Sequence, residues 1–308
     1  MATVGPTLVS ARHVLHLNLN TSDLEASVRF YRELLGLNER MRSGGDDGDW
    51  RFHGIDEPVS SVAAFLYDDR GPRTSPALEL VEWRRPTTAG KAYEQFTHRG
   101  AGSVRFGVRS LKGAAEKAAA HGGEVVSELG PDGLLVRDPD GVYAELVTAT
   151  GLQGDAQVAG TRIGCADLDA SLGWYAALGF SSTSAPADVE LVVAGKRLRA
   201  RTATVALPDG SADLALTQWL DPVAEQPAER RLWFRGMVRM AISVEDLDAS
   251  IAALTGAGWK CPEPQSFPLD GTPIGVLRVM FLNDPDGFTV ELVHRPAEHF
   301  VKKAKGSS

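Results

Sequence analysis

Hydrophobic and polar side chains alternate along residues 11–20, and the residues that follow change to the period of a helix. Leucines occupy every second position over residues 15–19, and the polar positions between them include His16. This alternation predicts a strand with one apolar face, formed by the three leucines, and one polar face. An apolar side chain then recurs every three or four positions until Gly36, which predicts an amphipathic helix with Ser22 as its N-cap.

The strand and helix pattern recurs three more times, so the chain contains four similar units. Asp23 and Asp167, 144 residues apart, hold equivalent positions in the first and third units. The second and fourth units share an Asp-Pro-Asp-Gly turn, at residues 138–141 and 284–287, just before a strand. A period this long indicates duplicated domains, because solenoid repeats are only about 20–50 residues long.

The order of these elements and the late Asp-Pro-Asp-Gly turns resemble the vicinal oxygen chelate superfamily, which includes glyoxalases, bleomycin-resistance proteins and extradiol dioxygenases. The resemblance covers about residues 12–295 and implies an α+β fold of four βαβββ units in two tandem domains, residues 12–150 and 156–295. Each domain would be a curved mixed sheet that forms a cup and is flanked by helices. The family often holds a metal with one residue from the first strand and one from the last strand of each unit.

Units of this superfamily pair either in sequence or crosswise, and the two arrangements give different sites. The short linker between the domains favours sequential pairing, in which the first and second units share a cup. Crosswise pairing of the first unit with the fourth would instead bring together His16, Glu79, Arg239 and Glu291. Both arrangements remain open at this point.

Under sequential pairing, the first domain contains a candidate metal site. Alternation directs His16, Glu79 and Glu145 into the cup, away from the apolar layer. Two carboxylates are costly to bury without a positive partner, and a divalent metal ion would supply one. These ligands suit Fe(II), Mn(II), Zn(II), Ni(II) or Co(II). The family pattern also falls on Ser103, where many metal-binding members have a histidine.

The corresponding positions of the second domain are poor in metal ligands. They are Gly160, Ala215, Arg239 and Glu291. We interpret Arg239 and Glu291 as an ion pair that stands where a metal would be. The second domain is therefore expected to have a degenerate site.

Two functions fit these residues. The first is a metal-dependent, glyoxalase-like lyase, isomerase or dioxygenase that acts on a small oxygen-rich or aromatic metabolite; the resemblance implies Glu79 or Glu145 as its general base. The second is a metal-free protein, similar to bleomycin-resistance proteins, that sequesters an aromatic drug or metabolite. The candidate ligand-binding residues are Trp50, Phe52, Trp83, Ser103, Arg105 and Tyr143. In the metal-free case Arg105 would neutralise Glu79 or Glu145. Two further histidines, His53 and His98, are candidates for positions near the cup.

Composition narrows the partners to small molecules. The formal net charge of −8 argues against nucleic acid, and no apolar run approaches the roughly 20 residues that span a membrane. Only two cysteines occur, and the N-terminus lacks the features of a signal peptide, so we expect a cytoplasmic protein. It would act as a monomer or a homodimer.

Overall fold

The computed structural model describes residues 6–93, 95–226, 231–269 and 275–295, and confirms the predicted α+β fold of four units. The first unit comprises β1 (Ala11–Asn20), α1 (Leu24–Leu35), β2 (Asn38–Trp50), a short 3₁₀ helix (Arg51–His53), β3 (Ile55–Tyr67) and β4 (Ala77–Arg85). The second comprises β5 (Gly100–Val108), α2 (Leu111–Ala120), β6 (Glu124–Glu128), β7 (Gly133–Arg137) and β8 (Tyr143–Thr148).

The third and fourth units repeat this plan. The third comprises β9 (Ala156–Cys165), α3 (Leu168–Ala177), β10 (Ser181–Ser182), β11 (Ala187–Val193), β12 (Lys196–Ala206) and β13 (Asp213–Asp221). The fourth comprises β14 (Gly236–Val244), α4 (Leu247–Gly256), β15 (Gln265–Leu269), β16 (Gly275–Asn283) and β17 (Thr289–His294). No helix in the described residues is long and apolar enough to span a lipid bilayer.

The units pair crosswise, which corrects the preference for sequential pairing. The first sheet has the order β15-β16-β17-β14-β1-β4-β3-β2 and joins units one and four. The second has the order β10-β12-β13-β9-β5-β8-β7-β6, with β11 paired to β12, and joins units two and three. The short linker connects the end of unit two to the start of unit three. Strand β9 follows β8 after a few residues and pairs antiparallel with β5. The linker therefore holds units two and three together and leaves unit one to pair with unit four.

Helices and the apolar faces of both sheets enclose a common core. Leu17 and Leu19 of β1 are fully buried in this core, as their alternation predicts. Leu15 is expected on the same face, but it packs against a cluster on the other side of the sheet that includes Ala241. The pairing of β1 with β14 shifts register between Val14 and His16, which explains this departure from simple alternation.

The helix of the first unit begins one residue later than predicted. Asp23, not Ser22, is the N-cap of α1, and its side chain accepts a hydrogen bond from the backbone N–H of Ala26. Ser22 instead donates its hydroxyl proton to Asp140, in the turn of the second unit. Both residue types cap helices well, so the sequence does not distinguish them.

The two Asp-Pro-Asp-Gly turns fasten the two sheets to each other. The hydroxyl of Tyr31, on α1, donates to Asp138 Oδ2 at 2.9 Å, and the hydroxyl of Tyr175, on α3, donates to Asp284 Oδ2 at 3.0 Å. Each contact links a unit of one sheet to a unit of the other. Burial raises the pKa of Asp138 to about 7 and that of Asp284 to about 6, although both carboxyls also accept backbone hydrogen bonds.

Candidate functional site

Four central strands of the first sheet direct polar side chains to one point in the cup. Strand β1 lies between β4 and β14, and its Asn18 is paired in register with Glu79 on one side and with Arg239 on the other. Glu291 on β17 is opposite Ala241 of β14. His16, Glu79, Arg239 and Glu291 thus meet in what we call the first cup. This is the set that crosswise pairing predicts from the sequence.

Arg239 contacts both carboxylates of the first cup. Its Nη2 donates to Glu79 Oε2 at 3.1 Å, and its Nε donates to Glu291 Oε2 at 3.2 Å, which confirms the predicted Arg239–Glu291 ion pair. His16 Nε2 lies 3.3 Å from Glu79 Oε2 and 3.5 Å from Glu291 Oε2. Asn18 Nδ2 donates to Glu79 Oε2 at 3.0 Å. One guanidinium, one imidazole and one amide therefore surround the two carboxylates.

These charges stabilise one another in a largely buried position. Glu79 and Glu291 are each 6% exposed, and Arg239 is 8% exposed. Burial acts to raise the pKa of Glu291, but the neighbouring His16 and the charge of Arg239 outweigh it, so that pKa lies below its usual value. Burial acts to lower the pKa of Arg239, yet the charges of Glu79 and Glu291 raise it. Both groups are consequently charged at neutral pH.

As it stands, the first cup does not fit a divalent metal ion. A metal held by His16, Glu79 and Glu291 needs their donor atoms at about 2.0–2.2 Å. The guanidinium of Arg239 already lies within hydrogen-bonding distance of both carboxylates, and its permanent positive charge would repel a metal ion. Across the described ranges, no group of three or more histidine, cysteine, aspartate or glutamate side chains has the geometry to hold a metal.

Glu145 lies in the second sheet, in a separate site that we call the second cup. Arg162 grips it with two hydrogen bonds of 2.7 Å, from Nε to Oε1 and from Nη2 to Oε2. The hydroxyl of Ser103 also donates to Glu145, and Arg105 Nε lies 3.9 Å from its Oε2. Arg105 pairs more closely with Asp213. Burial acts to raise the pKa of Glu145, but Arg162 outweighs it and lowers that pKa.

Gly160 and Ala215 show why the second cup has no metal-ligand side chain at two of the positions that correspond to the first cup. Gly160 has φ +143°, and a Cβ at this position would lie 1.8 Å from the carbonyl oxygen of Asp213. No side chain, and hence no metal ligand, fits there without movement of the backbone. Ala215 supplies only a methyl group. The neighbouring Arg162 supplies the positive charge for Glu145 instead.

The structure therefore divides the sequence-predicted site residues between two cups. His16 and Glu79 come together as expected, but Glu145 does not join them, because its strand belongs to the other sheet. Ser103, Arg105 and Tyr143 also belong to the second cup, where Tyr143 packs in an apolar cluster with Trp219. Trp50 and Trp83 lie at the first cup. Phe52 is in the short 3₁₀ helix of unit one, and its side chain lies outside the described part of the structure.

Aromatic side chains close the outer part of the first cup. The ring of Trp50 stacks on His53 at a centroid distance of 5.6 Å and meets the ring of Trp83 edge-on at 5.4 Å. His53 contacts Phe281, from unit four, at 4.6 Å. Burial lowers the pKa of His53 to about 4, with a further lowering by the charge of Arg239 that Glu291 opposes. The imidazole of His53 is consequently neutral at pH 7.

A cavity of about 1160 Å³ opens beside the first cup. His53, Phe281 and Thr289 are part of its wall, and Trp233 and Tyr93 extend the aromatic lining. Phe281 is paired in register with Glu291, and Thr289 with Arg239, so the cavity adjoins the strand positions that carry the ion pairs. The volume is slightly above the roughly 300–1,000 Å³ of most ligand pockets.

Several site residues are not evident from the sequence. Arg162, Asp213 and Phe281 became identifiable only with the strand order, since alternation gives the face of a strand and not the sheet that contains it. Trp233 is one of the tryptophans that the sequence offers as a pocket residue, and it does line the cavity. His53, one of the two histidines selected from the sequence, does line the cavity. The other, His98, packs edge-on against the cavity residue Tyr93.

Comparisons with known proteins agree with this architecture. The model of the glyoxalase/bleomycin resistance protein/dioxygenase superfamily matches twice, at residues 13–146 and 157–292. A lactoylglutathione lyase from Haemophilus influenzae is 25% identical over 141 residues, which are 44% of this chain and 90% of that protein.

Solved structures show the same fold over nearly the whole chain. Glyoxalase I from Zea mays is similar with a TM-score of 0.66 and 23% identity, over 92% of each chain. A putative dioxygenase from Bacillus subtilis is similar with a TM-score of 0.59 and 11% identity, over 94% of this chain and 86% of its own. With both repeats matched, this chain belongs to the glyoxalase/bleomycin resistance protein/dioxygenase superfamily.

Proposed function

We propose that this protein binds a planar aromatic small molecule in the cavity beside the first cup, without a metal ion of its own. The observation that carries the proposal is the position of Arg239 between Glu79 and Glu291, next to a large cavity with aromatic walls. The charge that a metal would supply is already present in the protein. The cavity offers a ligand aromatic ring surface together with polar and charged side chains, among them Arg99, Glu263 and Asp286.

The aromatic lining favours a flat ligand. Trp233 and Phe281 present ring faces or edges to the cavity, and His53 adds a ring that is neutral at pH 7. Pairs of aromatic rings contribute about 0.5–1.5 kcal/mol each beyond the area that they bury. Polar groups such as Asn283 and Gln226 line the same cavity and can orient a ligand through hydrogen bonds.

A titration of the purified protein with a panel of planar aromatic compounds tests the proposal. Tryptophan fluorescence and calorimetry should detect binding of one compound class in the micromolar range, unchanged when a chelator is added. Trp233→Ala should weaken binding about tenfold or more, a loss of roughly 1.4 kcal/mol. The control is Trp174→Ala, since Trp174 stacks on Trp259 in a smaller neighbouring pocket that shares Phe281 with the cavity, and Trp174 itself is not part of the cavity wall. Equal affinity in both variants, or no binding at all, would refute the proposal.

The second candidate is the enzyme, supported by the sequence similarity to a lactoylglutathione lyase. For this candidate the superfamily resemblance implies a divalent metal, with Glu79 or Glu145 as general base. Glu145 lies in the other sheet, whereas Glu79 and Glu291 lie in the first cup beside the cavity. Glu79 and Glu291 are therefore the better candidates for proton transfer, with Arg239 to stabilise an oxyanion. Turnover of lactoylglutathione, followed through its thioester absorbance and lost in Glu79→Gln, would favour the enzyme over the binding protein.

A further inference from the structure

Arg239 joins the two halves of the chain at the place where the superfamily resemblance implies a metal. One of its partners, Glu79, lies on the last strand of unit one, and the other, Glu291, on the last strand of unit four. The antiparallel pair of β1 and β14 brings these units together, with Asn18 and Arg239 in register. A single guanidinium therefore bridges carboxylates that are 212 residues apart in the sequence.

The first cup cannot remain intact without a cation. Glu79 and Glu291 are both more than nine-tenths buried, and buried carboxylates without a positive partner are strongly destabilising. His16 Nε2 already lies within 3.5 Å of an oxygen of each carboxylate. Apart from Arg239, this is a histidine and two glutamates around one point, a donor set that suits Zn(II), Ni(II) or Co(II).

We propose that Arg239 supplies the positive charge of the first cup and thereby keeps divalent metals out. Replacing Arg239 with an uncharged side chain that can ligate a metal would then expose a metal site formed by His16, Glu79 and Glu291. The guanidinium of Arg239 neutralises both carboxylates and ties units one and four together. The proposal does not depend on which ligand, if any, fills the neighbouring cavity.

The second cup provides a matched control. Arg162 also neutralises a buried carboxylate, but its contacts are with Glu145 and with the hydroxyl of Thr217, at 2.8 Å. A histidine in place of Arg162 would meet Glu145, whereas Asp213, the other carboxylate of the second cup, is already paired with Arg105. The arrangement of His16 with two glutamates has no counterpart among the second-cup residues described above. Removal of an arginine from a buried ion pair is thus common to both variants, and only the first leaves a set of metal ligands.

The experiment compares metal binding by wild type, Arg239→His and Arg162→His. Each full-length protein is purified without chelator, analysed for metal, and titrated with Zn²⁺ and with Co²⁺, whose visible absorption reports its coordination. Arg239→His should bind about one metal ion per chain, and its thermal midpoint should rise when Zn²⁺ is added. Wild type and Arg162→His should bind none specifically and show no such rise.

Two further substitutions in the Arg239→His background locate the metal. His16→Ala should abolish stoichiometric binding, because it removes a ligand. Asn18→Ala removes the hydrogen bond that orients Glu79 and should weaken binding roughly 10–100-fold. A metal bound elsewhere on the surface would respond to neither change.

Folding of the variants is followed by circular dichroism and thermal unfolding. Arg239→Gln is a second variant that removes the positive charge from the same site. A variant that is unfolded without metal is refolded in the presence of Zn²⁺. Recovery of the folded state with Zn²⁺ supports the proposal, and failure of both variants to refold contradicts it. Stoichiometric metal in wild type, or folded Arg239→His and Arg239→Gln proteins that bind none, would overturn it. So would equal binding by Arg162→His.

Discussion

Replacement of Arg162 by methionine should destabilise the protein far more than loss of the whole ion pair. In the wild type, Glu145 is 2% exposed and receives two 2.7 Å hydrogen bonds from Arg162. Arg162→Met would leave that carboxylate with the Ser103 hydroxyl and with Arg105 at 3.9 Å. Breaking a buried pair in this way costs about 3–5 kcal/mol, whereas replacing both partners by apolar side chains is often neutral.

Urea unfolding of wild type, Arg162→Met, Glu145→Leu and the double variant measures this difference. The double variant should recover to within about 1–2 kcal/mol of wild type, because it buries no unpaired charge. The reasoning is refuted if Arg162→Met loses less than about 1 kcal/mol, or if the double variant is as unstable as the single one.

The pH dependence of the same variants gives a second test with a definite sign. In the wild type the pKa of Glu145 is lowered, so its stabilising contribution is present above the unfolded value of about 4.3 and is lost as the pH falls through the folded pKa. In Arg162→Met, burial without a partner raises this pKa. The variant should therefore become more stable, relative to wild type, as the pH falls from 7 to 5.

Four other predictions concern the turns, a glycine and the neutral histidine. Tyr31→Phe removes the hydroxyl that donates to Asp138 and should cost about 1–3 kcal/mol in the free energy of unfolding, measured in urea. The pKa of Asp138 in the folded state is raised to about 7, so the folded protein keeps a proton on this carboxyl that the unfolded chain loses above about pH 4. The free energy of unfolding should therefore decline as the pH rises from about 4 to 7, and Asp138→Asn should reduce this pH dependence. Gly160→Ala should destabilise the protein by several kcal/mol, on the order of 3, since its Cβ would clash with the backbone; a loss below that of an ordinary surface change would contradict the geometry. The NMR titration of His53 should show a neutral imidazole down to about pH 4, and a midpoint near 6.5 would mean that the ring is exposed.

Local patterns in the sequence predicted the elements and most of their faces, with Leu15 as an exception. The alternation around His16 and Glu79 correctly predicted cup-facing side chains, and the four repeats gave the number of units. These features depend on neighbouring residues and on the period of a strand or helix, both of which are visible in a single sequence.

Sequence reasoning was weaker on the contents of each cup, because that depends on which strands pair. Glu145 was grouped with His16, yet the β1–β14 pair separates them and puts Glu291 in that place. The sequence predicts a metal site at His16 and Glu79 and, separately, an Arg239–Glu291 ion pair. In the structure these four residues meet in the first cup. Strand pairing over more than two hundred residues leaves no local trace, and neither does the register shift that turns Leu15 out of the core.

The most direct test of the account is a high-resolution crystal structure of the wild-type protein, grown with excess Zn²⁺ and recorded at the zinc absorption edge. The account predicts the guanidinium of Arg239 between Glu79 and Glu291, with no anomalous peak in the first cup. An anomalous peak coordinated by His16, Glu79 and Glu291, with Arg239 turned away, would contradict it.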